Sequence, residues 1–217
     1  MASCLAMSYI GSLAQLSQKM SKRILVVLSE WGYWGEELIG PLDVLTSAGY
    51  SLDFMTPNGR KPVALPPRMD ETYVDPPLDK GVTSAHFAKR TKEVDSSDLL
   101  ANPINLSEKL PLMPYFNSEK FGHKLEEFFN TREEFWKEFV DSYDALLLPG
   151  GSGPMVDMVN NERLHNLILG YVNRDKLVAA ECYCVTCLAF AREWADRKSI
   201  IWGKNVTGHA REYDYKE

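Results

Sequence analysis

The sequence predicts an α/β fold, a three-layer αβα sandwich built on a mostly parallel, flavodoxin-like sheet with a cap insertion. Short apolar runs at 23–29 (RILVVLS), 145–148 (ALLL) and 176–180 (KLVAA) have the continuous character of strands buried on both faces. Helical stretches with apolar stripes alternate with these runs. Glycine-rich or abrupt turns follow them, at the carboxyl edge where open α/β sheets place their sites.

The elements follow in order. After the first strand comes an aromatic and glycine-rich loop, Glu30-Trp31-Gly32-Tyr33-Trp34-Gly35. A helix is expected from about 36 to 47, with Leu38, Leu42 and Leu45 at core spacing and Gly49 as its stop. Residues 51–56 (SLDFMT) read as the second strand, which completes a βαβ unit of right-handed crossover. From 57 to about 117 the character changes: nine of the twelve prolines fall here and no apolar period persists. This stretch reads as an irregular cap, and the insertion as a whole spans about 57–141. Its last part is a long amphipathic helix over about 118–142, with Phe121, Leu125, Phe128, Phe129, Trp136, Phe139 and Val140 on one stripe. The sheet resumes at 145–148, followed by the turn Pro149-Gly150-Gly151-Ser152-Gly153-Pro154 and a helix carrying Leu164, Leu167, Ile168 and Tyr171. The strand at 176–180 runs into a turn at Cys182 and a helix to about Trp194. A last short strand, 205–207, precedes Gly208-His209.

At 217 residues the chain is long enough for one substantial core, taken as a single domain over 22–217. The net charge of -6 supplies no basic patch, so neither nucleic acid nor an anionic membrane is expected as a partner. No apolar stretch approaches the ~20 residues of a membrane span. Three of the four cysteines crowd between 182 and 187, which is no disulfide framework and points to a reducing, cytoplasmic setting. Residues 1–21 are serine-rich and run into Lys22 and Arg23. They read as a disordered extension ahead of a second start at Met20, or as a weak mitochondrial presequence.

The run VAAECYCVTCLAF carries the most chemistry. An apolar strand that stops at a cysteine and turns at once into a helix lifts Cys182 from the sheet edge. Its sulfur then lies at the foot of the new helix, where first-turn N–H groups and the dipole favour thiolate. Such a turn is a nucleophile elbow. The alternative is an inert cysteine buried in a strand, the commoner fate of any one cysteine. Gly150 and Gly151 let backbone approach a ligand, so an oxyanion hole shared with the Tyr183 N–H is expected; the plain alternative is a flexible turn. Glu36 and Glu37 open the first helix, where a carboxylate also suits the dipole; Glu37 matters if it turns inward to the sulfur. His209 is the candidate base, while His86, His123 and His165 read as structural or exposed. Cys182-x-Cys184-x-x-Cys187 lacks a second ligand pair, so no metal is expected. A disulfide from Cys187 to Cys182 or Cys184 is the redox alternative.

The assembled motifs resemble the ThiJ/PfpI superfamily, the DJ-one-type branch of the class I glutamine amidotransferase-like fold. The first βαβ (ILVVLSEWGYWGEELIGPLDVLTSAGYSLDFMTP), the turn LLLPGGSGP, the elbow VAAECYCVTCLAF and the closing NVTGHAREYDY carry the likeness over about 22–217. The 57–141 region resembles the cap of the heat-shock glyoxalase III branch. The resemblance implies Cys182 as nucleophile, Glu37 as the buried acid beside it and His209 as proton carrier. Gly151 and Tyr183 then hold an oxyanion. Three departures stand out. Tyr183 replaces a usual histidine, Cys184 a usual glycine, and Glu181 a usual aliphatic residue, which places Glu181 as a pocket-lining candidate. Family domains also continue for a strand and a helix beyond the histidine, whereas this sequence stops at Glu217, so a truncated carboxyl part or an uncovered sheet edge is expected.

The implied activity is cofactor-free thiol chemistry on a small carbonyl electrophile, glyoxalase III- or deglycase-like, by a lyase or hydrolase reaction. An amidotransferase-like tailoring enzyme is the second expectation, weakened because His209-x-x-Glu212 poorly matches the glutaminase His-Pro-Glu. A non-enzymatic redox sensor or chaperone, with Cys182 oxidised, is the third. A small-molecule substrate and a homodimer, as relatives form, complete the expected partners.

Overall fold

The computed structural model describes residues 22–115 and 120–210. The extension before residue 22, the start of the long helix at 118–119 and Glu212 lie outside the described residues. Among the described residues the main sheet has five strands, all parallel: β1 (Arg23–Val27), β2 (Ser51–Thr56), β5 (Ile104–Asn105), β6 (Ala145–Leu148) and β7 (Leu177–Ala180), in the order β5-β2-β1-β6-β7. A small antiparallel pair, β3 (Val74–Asp75) and β4 (Lys80–Gly81), stands apart from it. The four longer strands keep the flavodoxin-like order, and two residues of the insertion extend one edge.

Alternate residues of the central strands enter two separate cores, which makes the three layers. Leu25, Val27, Leu146 and Leu148 pack on one face with α3 (Phe121–Glu138), α4 (Glu162–Asn173) and α5 (Val185–Phe190) through Trp136, Leu167, Ile168 and Cys187. Ile24, Val26, Leu28 and Leu147 pack on the other face with α1 (Gly35–Ser47) and α2 (Ala85–Ser96), through Leu38, Ile39 and Val94. Every one of these strand residues is buried, as their unbroken apolar runs require. Asn161 caps α4, its side chain accepting from the Leu164 N–H. Among the described residues no helix is long and apolar enough to cross a membrane.

Three expectations are corrected. The cap is not irregular throughout. Ser84 caps α2 by accepting from the Phe87 N–H, and α2 buries only Ala88, Thr91 and Val94. Two small residues and a threonine leave no apolar stripe to read in the sequence. The helix after Cys182 ends at Phe190, not near Trp194. Ala191 turns extended there, and its carbonyl accepts the Ile200 N–H. Residues 205–207 form no strand; they are exposed and belong to no sheet ladder.

Candidate active site

The site lies at the carboxyl ends of β1, β6 and β7, where the connections from the sheet diverge. Cys182 has φ 51°, a left-handed conformation that non-glycine residues seldom adopt. This is the strained bend of a nucleophile elbow, and the strain persists because both flanks are fixed. On one side the Glu181 N–H donates to the Leu148 carbonyl (3.1 Å); on the other the Cys184 N–H donates to the Glu181 carbonyl (2.9 Å).

Two loops lock together beneath the sulfur. The Trp34 N–H donates to the Gly150 carbonyl (3.0 Å) and the Gly153 N–H to the Gly32 carbonyl (3.2 Å). Asp157 ties the same loops, accepting from the Ser29 hydroxyl (2.7 Å) and the Glu30 N–H (2.8 Å). Gly150 has no room for a side chain: a Cβ would stand 2.7 Å from Glu37 Oε2 and 2.8 Å from Cys182 Cβ. Gly151, at φ 105°, runs equally close to the Trp34 nitrogen.

The sequence-derived residues converge. His209 Nδ1 lies 3.5 Å from Cys182 Sγ, and the Tyr183 ring stacks on the imidazole with centroids 4.2 Å apart. The backbone N–H groups of Gly151 and Tyr183 act on the sulfur in the direction that favours its charged form, and the Glu37 carboxyl acts on it in the opposite direction. Gly150 differs from its expected role. Its N–H donates to Glu37 Oε2 at 2.7 Å and is committed to holding that carboxyl. Glu181 is not among the residues lining the cavity. His165, at 2.8 Å from the Val159 carbonyl, is a structural histidine.

Electrostatics correct a further expectation. Burial, then the charge of Glu37, pushes the Cys182 thiol up to about 11, against the opposing pull of the Gly151 and Tyr183 N–H groups. The resting group is a thiol, because two amides and a short helical turn do not outweigh desolvation beside a carboxyl. Burial likewise raises Glu37 to about 7, although its bonds from Gly150 and Cys182 favour the charged form. Cys182, Cys184 and Cys187 are all thiols. The Cys184 thiol donates to the Pro149 carbonyl (3.1 Å), and its position in the core suits the extra bulk that a glycine would not supply.

A cavity of about 840 Å³ opens over the sulfur, within the range of small-molecule sites. Its floor is Cys182, Glu37 and His209; its roof is the β3–β4 hairpin and the segment to Ser84. Sequence reading misses Trp34, Ser152 and the hairpin residues. Trp34 stands in a legible aromatic loop, but the hairpin carries no motif.

No curated protein matches the chain. Among solved structures, that of APC35852 is 21% identical with a TM-score of 0.58, covering 90% of this chain and 71% of its own, and shows the same fold. The Rapid Encystment Protein 24 KDa of Francisella tularensis is 18% identical at a TM-score of 0.49, covering 89% of this chain and 72% of its own. Glyoxalase III of Candida albicans is 15% identical at 0.46, covering 90% and 70%. The family model described as ThiJ/PfpI family-like matches residues 28–210, most of the sequence, and the chain belongs to that family.

Proposed function

We propose that this protein is a cysteine-dependent enzyme acting on a small carbonyl electrophile, with a glyoxalase III-like conversion of 2-oxoaldehydes to 2-hydroxy acids as the reaction. The observation that carries the reading is the convergence of the Cys182 thiol, the His209 imidazole at 3.5 Å and Tyr183 in one cavity, with the Gly151 and Tyr183 N–H groups acting on the sulfur. A thiol held protonated needs a base at the moment of attack, and His209 Nδ1 has the reach for it.

The steps balance with protein groups and water. Cys182 Sγ bonds to the aldehyde carbon as its proton passes to His209, and the Gly151 and Tyr183 N–H groups hold the oxygen as it gains charge. That oxygen then takes the proton from His209, giving a hemithioacetal. The hydrogen on the former aldehyde carbon is acidified by the adjacent ketone; His209 removes it to give an enediol as the ketone oxygen takes up a proton. His209 then returns it to the former ketone carbon as the hemithioacetal hydroxyl gives up its own proton, leaving a 2-hydroxy thioester. Water cleaves the thioester to the 2-hydroxy acid and restores the thiol. Glu37, near half-ionised at neutral pH, orients the sulfur by donating to it when neutral and accepting from it when charged.

The test is methylglyoxal consumption with chiral analysis of lactate. Turnover abolished in Cys182→Ala and reduced at least about a hundredfold in His209→Ala supports the reading. Turnover unaffected by Cys182→Ala overturns it. Ammonia release from glutamine, with no action on methylglyoxal, would favour an amidotransferase.

A further inference from the structure

We propose that Lys80 sets substrate specificity by holding an anionic group, carboxylate or phosphate, on the part of the substrate remote from the reacting carbonyl. The proposal deepens the carbonyl-electrophile reading and rests on the same cavity.

Size is the first reason. About 840 Å³ is on the order of twenty-eight water volumes. A three-carbon dicarbonyl, with five heavy atoms, leaves most of that space unused. The cavity fits a substrate whose carbonyl reaches Cys182 while a longer body extends beneath the hairpin.

The chemistry of the roof is the second. Its polar side chains are engaged with their own backbone, with one exception. Thr83 Oγ1 donates to the Pro67 carbonyl (3.3 Å), Ser84 Oγ accepts the Phe87 N–H (3.3 Å) and Asp75 Oδ1 accepts the Leu78 N–H (3.0 Å). Lys80 stands directly across the ladder from Asp75, yet the two form no ion pair. Among the described residues the Lys80 ammonium has neither a hydrogen bond nor a salt bridge, and it lines the cavity. It is the one lysine or arginine among them that does so; Lys80 is exposed on β4, and with no protein group holding its ammonium it is available to an anion at the outer side of the cavity.

Labelling of Cys182 tests this without requiring turnover. The full chain is treated with maleimides bearing a neutral, a carboxylate or a phosphonate tail of equal length, and second-order rates at Cys182 are read by peptide mass spectrometry. The anionic-to-neutral rate ratio is expected to be about tenfold higher in the wild type than in Lys80→Met, to be restored by Lys80→Arg and to fall below one in Lys80→Glu. Taking the ratio cancels any general change in thiol reactivity. A stronger phosphonate than carboxylate preference assigns the remote group as phosphate, the reverse as carboxylate, and either supports the proposal. A ratio near one in the wild type, a ratio that Lys80→Met leaves unchanged, or no labelling at Cys182 overturns it. A preserved ratio with no methylglyoxal turnover overturns the glyoxalase reading alone.

Discussion

Gly150 and Glu37 are joined by a 2.7 Å hydrogen bond that places a carboxyl from α1 against a thiol from the far side of the sheet. The glycine serves Glu37 with its N–H and, lacking a Cβ, leaves the carboxyl room to meet the Cys182 sulfur. One backbone position thus couples the loops that follow β1, β6 and β7.

Stability should fall with rising pH because of Glu37. Its folded value of about 7 lies above the ordinary 4.5, so the protonated form is favoured by folding. That contribution is complete below pH 4.5 and is lost as pH rises through 7. The shift corresponds to at most about 3 kcal/mol. Denaturant titrations from about pH 5 to 8 should show the wild type losing stability relative to Glu37→Gln. A gap constant across that range would contradict the assignment.

Alkylation of Cys182 by iodoacetamide should follow a midpoint near 11, well above that of an ordinary thiol. Because the Glu37 charge is one of the causes, Glu37→Gln should lower the midpoint. The sign discriminates: were Glu37 there chiefly to stabilise thiolate, its replacement would raise the midpoint instead.

The bend at Cys182 predicts an order among inactive variants. With φ at 51°, an alanine is strained as the cysteine is, whereas glycine is at ease. Cys182→Gly should therefore be more stable than Cys182→Ala by about 1 kcal/mol. Chemical denaturation of the two proteins reads this directly, and equal midpoints would mean the bend stores no strain.

Much of this site is legible in the sequence because its signals are local. A strand that must be apolar on both faces ends at Cys182, and glycines mark Gly150 and Gly151 as points of close approach. His209 is picked out because a cysteine nucleophile needs a base nearby and because the resemblance points to it, not through local structure, since the strand expected to carry it is absent. The thiol's protonation escapes the sequence because desolvation depends on what packs around the sulfur, including a carboxyl more than a hundred positions away. The hairpin roof is invisible: exposed residues on two short strands obey no period.

Two glycine-to-alanine changes should have opposite signs. At Gly150 the added methyl would collide with Glu37 Oε2, the Glu181 carbonyl and Cys182 Cβ, all within 2.8 Å. Overpacking of that kind costs about 1–3 kcal/mol, and Glu37 is pushed from the sulfur, so turnover should fall as well. Gly40, inside α1 with nothing within 4 Å of where a methyl would stand, should gain about 0.5–1 kcal/mol and keep its turnover. Thermal melts of the pair, with methylglyoxal assays, decide both.

Arg68 should prove to be the anchor between the cap and the first loop. It is 1% exposed, its guanidinium lies 3.4 Å from the centroid of the Trp34 ring, and it donates to the Val82 carbonyl at 2.9 Å. Glu36 Oε1 stands 3.8 Å away with no hydrogen bond of its own, so the arginine is the charge that compensates it. Arg68→Met should cost about 3 kcal/mol, because it leaves that carboxylate uncompensated as well as releasing the hairpin. If the charge is the larger part, adding Glu36→Gln to Arg68→Met should recover a good share of the loss in a double-mutant cycle. Strictly additive losses would instead place the arginine's contribution in its stacking on Trp34 and its bond to Val82.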